Sequence, residues 1–304
     1  MAKIGAHVSI SGGPQTAPER AQELNATALG MFTKNQRQWN AKPPLDEEIE
    51  SFKRNLTAAE IAEKHVVIHA SYLINVANPD PEKREKSIAA LIDECRRAEQ
   101  LGLRNVNFHP GSGLGSISES ETITAIAEAC TRVLEETQHA VLVLESTAGQ
   151  GAHVGYRFEH LSAIIDEAKA PKRLKTCVDT CHMFAAGYEL DTVEGYQRTI
   201  EQFDATVGLR HLVGVHLNDS MTECGSRRDR HECIGAGKIG ITGLAAWVQD
   251  SRLSDVPFIL ETTRPELWRD EIRLLTQLAN GEIAPEEAVI PAFANESEGK
   301  GEKS

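Results

Sequence analysis

No stretch of this 304-residue chain is apolar for anything near the ~20 residues needed to span a bilayer. Its start, MAKIGAHVSI, lacks a basic segment followed by a long apolar one. A membrane protein and a secreted one are both disfavoured, and the expected compartment is the cytoplasm. None of the six cysteines forms a CxxC pair, so neither a zinc-ribbon nor a thioredoxin-like reading has support. They read as small buried residues in a reduced compartment. Basic charge is scarce: 32 Lys and Arg stand against 45 Asp and Glu, a formal net charge of −13. That argues against a simple basic nucleic-acid binder. There is no internal repeat and no linker that would split the chain.

Hydrophobic content of 40% and charged content of 25% are ordinary for a globular protein. Eight short runs, rich in apolar and β-branched residues, occur at 3–8, 26–33, 65–70, 105–111, 141–147, 174–180, 212–219 and 257–263. They are mostly continuous rather than alternating, as strands buried on both faces should be. Between them lie helical patterns at 47–64, 82–101, 118–138, 157–169, 193–207, 241–252 and 266–280. Eight strands alternating with helices predict a (β/α)8 barrel over residues 1–282, a single domain. Residues 283–304 read as a tail whose apolar piece AVIPAFA (288–294) docks on the barrel and which is disordered from about 295.

The chemistry sits where those runs end. His69, His109, Glu145, Asp179, His182, His216 and Glu261 fall at or just after strand ends, and Asp229 and His231 follow in the loop-like SRRDRH. A histidine closing one buried strand is usually a hydrogen-bonded structural residue. His or acid at six of eight strand ends is not explained that way. In this fold the carboxyl ends of all strands share one mouth, so residues far apart in sequence become neighbours. Five imidazoles and four carboxylates form a nitrogen and oxygen donor set suited to zinc, with manganese or iron able to serve at some positions. One catalytic zinc takes about three protein ligands, so nine fit three metals sharing a carboxylate. Three divalent cations would more than neutralise the four carboxylates, making an acidic protein locally positive at its cleft. His65, His139, His153, His160 and His211 lie elsewhere and read as structural. His7, at the end of the first strand, reads as a contact behind the ligands or to substrate.

Three blocks, ESTAGQG (145–151), CVDTCHMFAAGY (177–188) and GSRRDRHECIGAGKIG (225–240), closely resemble the signature blocks of the endonuclease IV family of AP endonucleases. KIGAHVSISGG and HPGSGLG agree with it, and the likeness covers residues 1–282. It implies a TIM barrel that holds three zinc ions and repairs DNA. Carried over by position, His69, His109 and Glu145 would hold the first metal. Glu145, Asp179, His216 and Glu261 would hold the second, and His182, Asp229 and His231 the third. The implied reaction is hydrolysis 5′ to an abasic site in base excision repair, leaving a 3′-hydroxyl and a 5′-deoxyribose phosphate, with trimming of blocked 3′ ends. Glu145 or Glu261 would orient or deprotonate the attacking water, two roles the sequence does not separate. Tyr72 and Leu73 after the third strand would wedge into the base stack and Arg37 after the second would fill the gap left behind, bending the duplex, with Asn35 and Gln38 beside Arg37 as further DNA contacts. Arg228 and Arg230, with Arg227, read as phosphate contacts, whereas Trp39 reads as packing. The implied partner is double-stranded DNA with abasic sites or blocked 3′ ends, met by a monomer. Met221 departs from the family, whose members often carry lysine there. The alternative is a sugar isomerase or epimerase on the same barrel, which would use Glu145, Asp179, His216 and Glu261 with one metal. It leaves the other five candidates without a task.

Overall fold

The computed structural model of the chain describes residues 2–169, 171–288 and 290. Eight parallel strands close into a barrel: β1 (Lys3–His7), β2 (Ala28–Met31), β3 (Val66–His69), β4 (Asn105–Phe108), β5 (Val141–Glu145), β6 (Leu174–Asp179), β7 (Leu212–His216) and β10 (Pro257–Leu260). Neighbours in sequence pair around the ring, and β10 closes it against β1. The remaining two strands, β8 (Asp219–Ser220) and β9 (His231–Glu232), form an antiparallel hairpin outside the barrel. The helices are α1 (Thr16–Glu23), α2 (Asp46–Ala58), α3 (Pro81–Gln100), α4 (Glu119–Glu135), α5 (Phe158–Glu167), α6 (Thr180–Ala186), α7 (Val193–Thr206), α8 (Gly240–Gln249) and α9 (Trp268–Ala279). Among the described residues no helix is long and apolar enough to cross a membrane.

The main core lies between the strands and the surrounding helices, with Phe52, Leu91, Phe158, Phe203 and Trp247 among its fully buried side chains. A separate cluster of Ala28, Val67 and Ile259 has a different place. Side chains two apart in a strand share a face, so Val67 sits below His69 and Ile259 below Glu261. This cluster fills the barrel interior as a floor under the candidate ligands. At the β1–β2 seam the strands approach so closely that a Cβ on Gly5 would lie 1.8 Å from the Ala28 carbonyl oxygen, which excludes any side chain there.

Several boundaries differ from the sequence-based expectations. The helix expected over 47–64 stops at Ala58, because Glu60 turns left-handed (φ 57°) and the Ile61 amide donates back to the Leu56 carbonyl, a common helix stop. The expected strand over 174–180 gives way at Asp179 to α6, since the Asp179 carboxylate accepts from the His182 amide at 2.8 Å and caps the helix. The run 212–219 is broken at His216, and Asp219 belongs to the hairpin instead. His231, expected in a loop, lies in that hairpin's second strand. Ile290, within the apolar piece 288–294, is buried in the main core. The disorder expected from about 295 falls outside the described residues.

Candidate metal centre

The barrel register brings the strand-end side chains together. Glu145 pairs across with Cys177, Asp179 with His216, and His216 with Ile259, two residues before Glu261. Three groups result, each with one donor atom per residue, all within 4.8 Å of one another: His69, His109 and Glu145; Glu145, Asp179, His216 and Glu261; and His182, Asp229 and His231. These coincide with the three sets named from the sequence. Glu145 is fully buried and common to two of them. Its Oε2 lies 3.1 Å from His69 Nε2 and 3.4 Å from His109 Nε2, and its Oε1 lies 2.9 Å from His216 Nδ1. In the third group Asp229 lies 3.1 Å from His182 Nε2 and 3.3 Å from His231 Nε2.

The donor chemistry fits cations. His69, His182 and His231 each place Nδ1 within 3.0 Å of a backbone carbonyl, of Ala70, Ser146 and Glu261 respectively. Donation there turns the Nε2 lone pair toward the carboxylates, the arrangement usual for metal-ligating histidine. His231 Nε2 is buried with no hydrogen-bond partner, a costly state unless something else satisfies it. Burial alone would raise the Glu145 carboxyl, but His216 and His109 beside it hold it well below the usual carboxylate range. Burial likewise opposes protonation of His182 and His216, yet both are pushed well above their ordinary value. Asp179 and Asp229 do this for His182, and Cys177, Glu261 and Glu145 for His216. Asp229 is brought down to about 2 despite its burial, chiefly by His182. The shifts are reciprocal: each carboxylate stays ionised because a buried imidazole beside it carries a proton, and a divalent cation can take the place of those protons.

A fourth grouping, Asp179, Cys181 and His231, includes a cysteine set aside on sequence grounds. Burial pushes the Cys181 thiol well up, so it favours the protonated form that does not ligate. All six cysteines are free, and all but Cys224 are buried.

His7 stands behind this centre, its Nδ1 2.8 Å from Glu261 Oε1. Two residues that sequence reasoning missed act similarly. Asn107 Nδ2 donates to Glu145 Oε2 at 2.5 Å. Asn218 donates to Asp179 Oδ2 at 2.8 Å while its own Oδ1 accepts from the Glu261 amide at 2.8 Å. The signal was present: a carboxamide inside the buried strand NVNF, or in HLND just past the end of another, must find a partner. Also missed were Asp219 and Glu271, which fasten the hairpin. The Asp219 carboxylate accepts from the amides of Ser220, Gly235, Gly237, Ile239 and Gly240. Glu271, buried on α9, accepts from the Ile234 amide at 2.8 Å and the Thr262 hydroxyl at 2.6 Å.

Around the mouth, Asn35, Arg37 and Gln38 are exposed on the loop after β2. Tyr72 and Leu73 follow β3, 56% and 38% exposed, with the Tyr72 ring 4.9 Å from that of His69 and 5.9 Å from that of His109. The Tyr72 ring overhangs the centre, and Leu73 is exposed next to it in the chain. Trp39 packs against the main core, with Lys86 Nζ 4.2 Å from its ring centroid. Arg227, Arg228 and Arg230 line a recess of about 340 Å³ with Gly149, Gln150 and Gly151.

A closed parallel barrel with clustered imidazoles and carboxylates at its mouth defines a class, and residues 18–278 match the family model described as xylose isomerase-like TIM barrel. Within that class the chain belongs to the endonuclease IV family of DNA-cleaving hydrolases. A protein from Chlorobium phaeovibrioides named probable endonuclease 4 is 48% identical over 278 residues, covering 91% of this chain and all of the relative. The crystal structure of endonuclease IV from Thermus thermophilus superposes with a TM-score of 0.80 at 37% identity, covering 92% of this chain and 99% of that one. A D-psicose 3-epimerase from Clostridium cellulolyticum reaches a TM-score of 0.63 at 13% identity, covering 92% of this chain and 98% of that one. That likeness is one of fold.

Proposed function

We propose that this enzyme hydrolyses the phosphodiester 5′ to an abasic site in duplex DNA through a centre of three zinc ions, leaving a 3′-hydroxyl and a 5′-deoxyribose phosphate. Trimming of blocked 3′ ends is the same phosphodiester chemistry at a terminus and belongs to the proposal. The observation that carries it is the set of three donor groups, two sharing Glu145. A one-metal sugar isomerase would need the four-residue group alone. His69, His109 and Glu145 would hold one ion, Glu145, Asp179, His216 and Glu261 a second, and His182, Asp229 and His231 a third. Bound there, the ions would supply Lewis-acid stabilisation of the phosphate oxygens and make water a nucleophile at neutral pH.

The side chains supply the rest. His7 holds the Glu261 carboxylate at 2.8 Å and Asn107 holds that of Glu145 at 2.5 Å. Both carboxylates are therefore oriented to position or deprotonate the attacking water. Tyr72 and Leu73, exposed beside His69, would enter the base stack at the lesion, and Arg37 would fill the gap left behind. Asn35 and Gln38 would contact the adjoining strand, and Arg228 and Arg230 its phosphates. Such contacts admit DNA to an acidic protein because local potential governs binding.

Incubating an end-labelled abasic duplex with the protein, with and without a strong chelator, tests the reading. The expected outcome is one chelator-sensitive cut yielding a 3′-hydroxyl, with close to three zinc ions per chain by elemental analysis. A stoichiometry of one metal, or an uncut duplex, would sink it.

A further inference from the structure

Beneath the loops assigned above to lesion recognition lies a group of buried charges that the metal chemistry does not use. Lys34 and Glu94 are 4% and 1% exposed, and ionised groups are costly at such depth unless paired. Lys34 follows β2, whereas Asp93, Glu94 and Arg97 lie on α3. Lys34 Nζ donates to Asp93 Oδ2 at 2.7 Å and to the Trp39 carbonyl at 3.2 Å, and lies 3.5 Å from Glu94 Oε1. Arg97 donates to Asp93 Oδ2 at 2.9 Å and to the carbonyls of Lys42 and Ala41 at 2.8 and 2.5 Å. Glu94 accepts from the Thr33 hydroxyl. The Ser71 hydroxyl donates to the Gln36 carbonyl at 2.6 Å.

The pattern of contacts has a direction. Loop 33–42 has no helix or strand of its own, so its carbonyls would ordinarily be met by water. Here the carbonyls of Trp39, Ala41 and Lys42 are taken from below by two cations that Asp93 on α3 holds in place. The outward side of the loop, with Asn35, Arg37 and Gln38, stays exposed. Glu94 ties this loop at Thr33 to α3, and the Ser71 hydroxyl joins it at Gln36 to the neighbouring loop, next to Tyr72 and Leu73. An apolar cluster of equal volume would serve stability as well or better, so stability alone does not account for buried charge at this place.

We infer that Lys34, Asp93, Glu94 and Arg97 form a positioning device for damage recognition, fixing loop 33–42 above the mouth in the place where Ser71 joins it to loop 71–73. Arg37, Tyr72 and Leu73 then meet the duplex as one preformed surface, and the entropy of ordering two loops is not lost at binding. The inference rests on the reading of these loops as the DNA-contacting ones. None of the four residues touches the reacting atoms.

The test uses the full-length metal-loaded enzyme and steady-state cleavage of an abasic duplex. Failure of the wild type to cut would overturn the functional reading, whatever the cluster does. With the wild type active, Lys34→Met/Glu94→Met removes both buried charges at similar volume. Asp93→Asn, at a half-exposed position, is the milder probe. Both variants should keep three metals and a kcat within about twofold, while KM rises on the order of tenfold for the double variant and less for Asp93→Asn. Unchanged KM in both overturns the inference, as does loss of metal and kcat with KM intact. If the double variant does not fold, Asp93→Asn decides by the same split.

Discussion

Two parts of the mouth hold their candidate ligands by different means. Glu145, Asp179 and His216 end barrel strands and are almost fully buried, placed by the pairing of β5, β6 and β7. Asp229 and His231 come from an excursion of the chain between β7 and α8, and the Asp229 side chain is 35% exposed. No barrel register reaches them. Instead Asp219 gathers five backbone amides at the root of the hairpin, and Glu271 pins Ile234 from α9. The anchors differ too. Behind the strand ends stand the carboxamides of Asn107 and Asn218, which carry no charge. Behind the hairpin stand carboxylates. A site assembled this way has a rigid floor given by the fold and a wall whose position depends on buried acids.

Replacing Glu145 with Gln should produce the largest effect, because this one carboxylate serves two donor groups. Nicking of an abasic duplex should fall on the order of a thousandfold, with metal content reduced at both groups by elemental analysis. Retained nicking would break the idea of a shared strand-end ligand. Asp229→Asn should be milder and local, since Asp229 belongs to one group. The expected outcome is loss of one metal per chain and a fall of about a hundredfold in nicking. If Asp229→Asn empties the strand-end groups as well, the wall and floor are not separable.

The same division explains what could be read from the sequence. Strands buried on both faces leave continuous apolar runs, and ligands at their ends stand out because the runs stop there. All eight barrel strands were legible for this reason. Helix α6 was not, because TCHMFAA continues the apolar run of β6. What ends the strand is the Asp179 cap, a hydrogen bond rather than a change of composition. Helix α1 escaped because eight residues interrupted by Pro18 show little periodicity, although proline is tolerated in a first turn. Glu271 reads as one more acid on an amphipathic helix, and its role arises from residues 37 and 9 positions away in sequence. Asp219 left one trace in the glycines of GAGKIG. A Cβ on Gly237 would lie 2.4 Å from Asp219 Oδ1, so the carboxylate and the glycine require each other.

The smallest expected effect probes the wall's anchor alone. Burial pushes the Glu271 carboxyl up to about 7, against hydrogen bonds from Thr262 and the Ile234 amide that favour its charged form. A carboxyl whose folded value exceeds its unfolded one contributes stability that is fully present below the unfolded value, near 4.5. That contribution is lost as pH rises through about 7. Glutamine at this position is neutral throughout and of the same size. The melting temperature of the wild type relative to Glu271→Gln should therefore fall as pH is raised from 5 to 8, by roughly 2–4 °C. Taking the difference between two proteins with the same ligands removes the shared titration of the histidines. Asn107→Asp, which puts a charge behind a strand end instead, gives the contrasting arm of the comparison. A pH-independent gap for Glu271→Gln would mean that the hairpin's anchor is as indifferent to charge as the carboxamides beneath the floor.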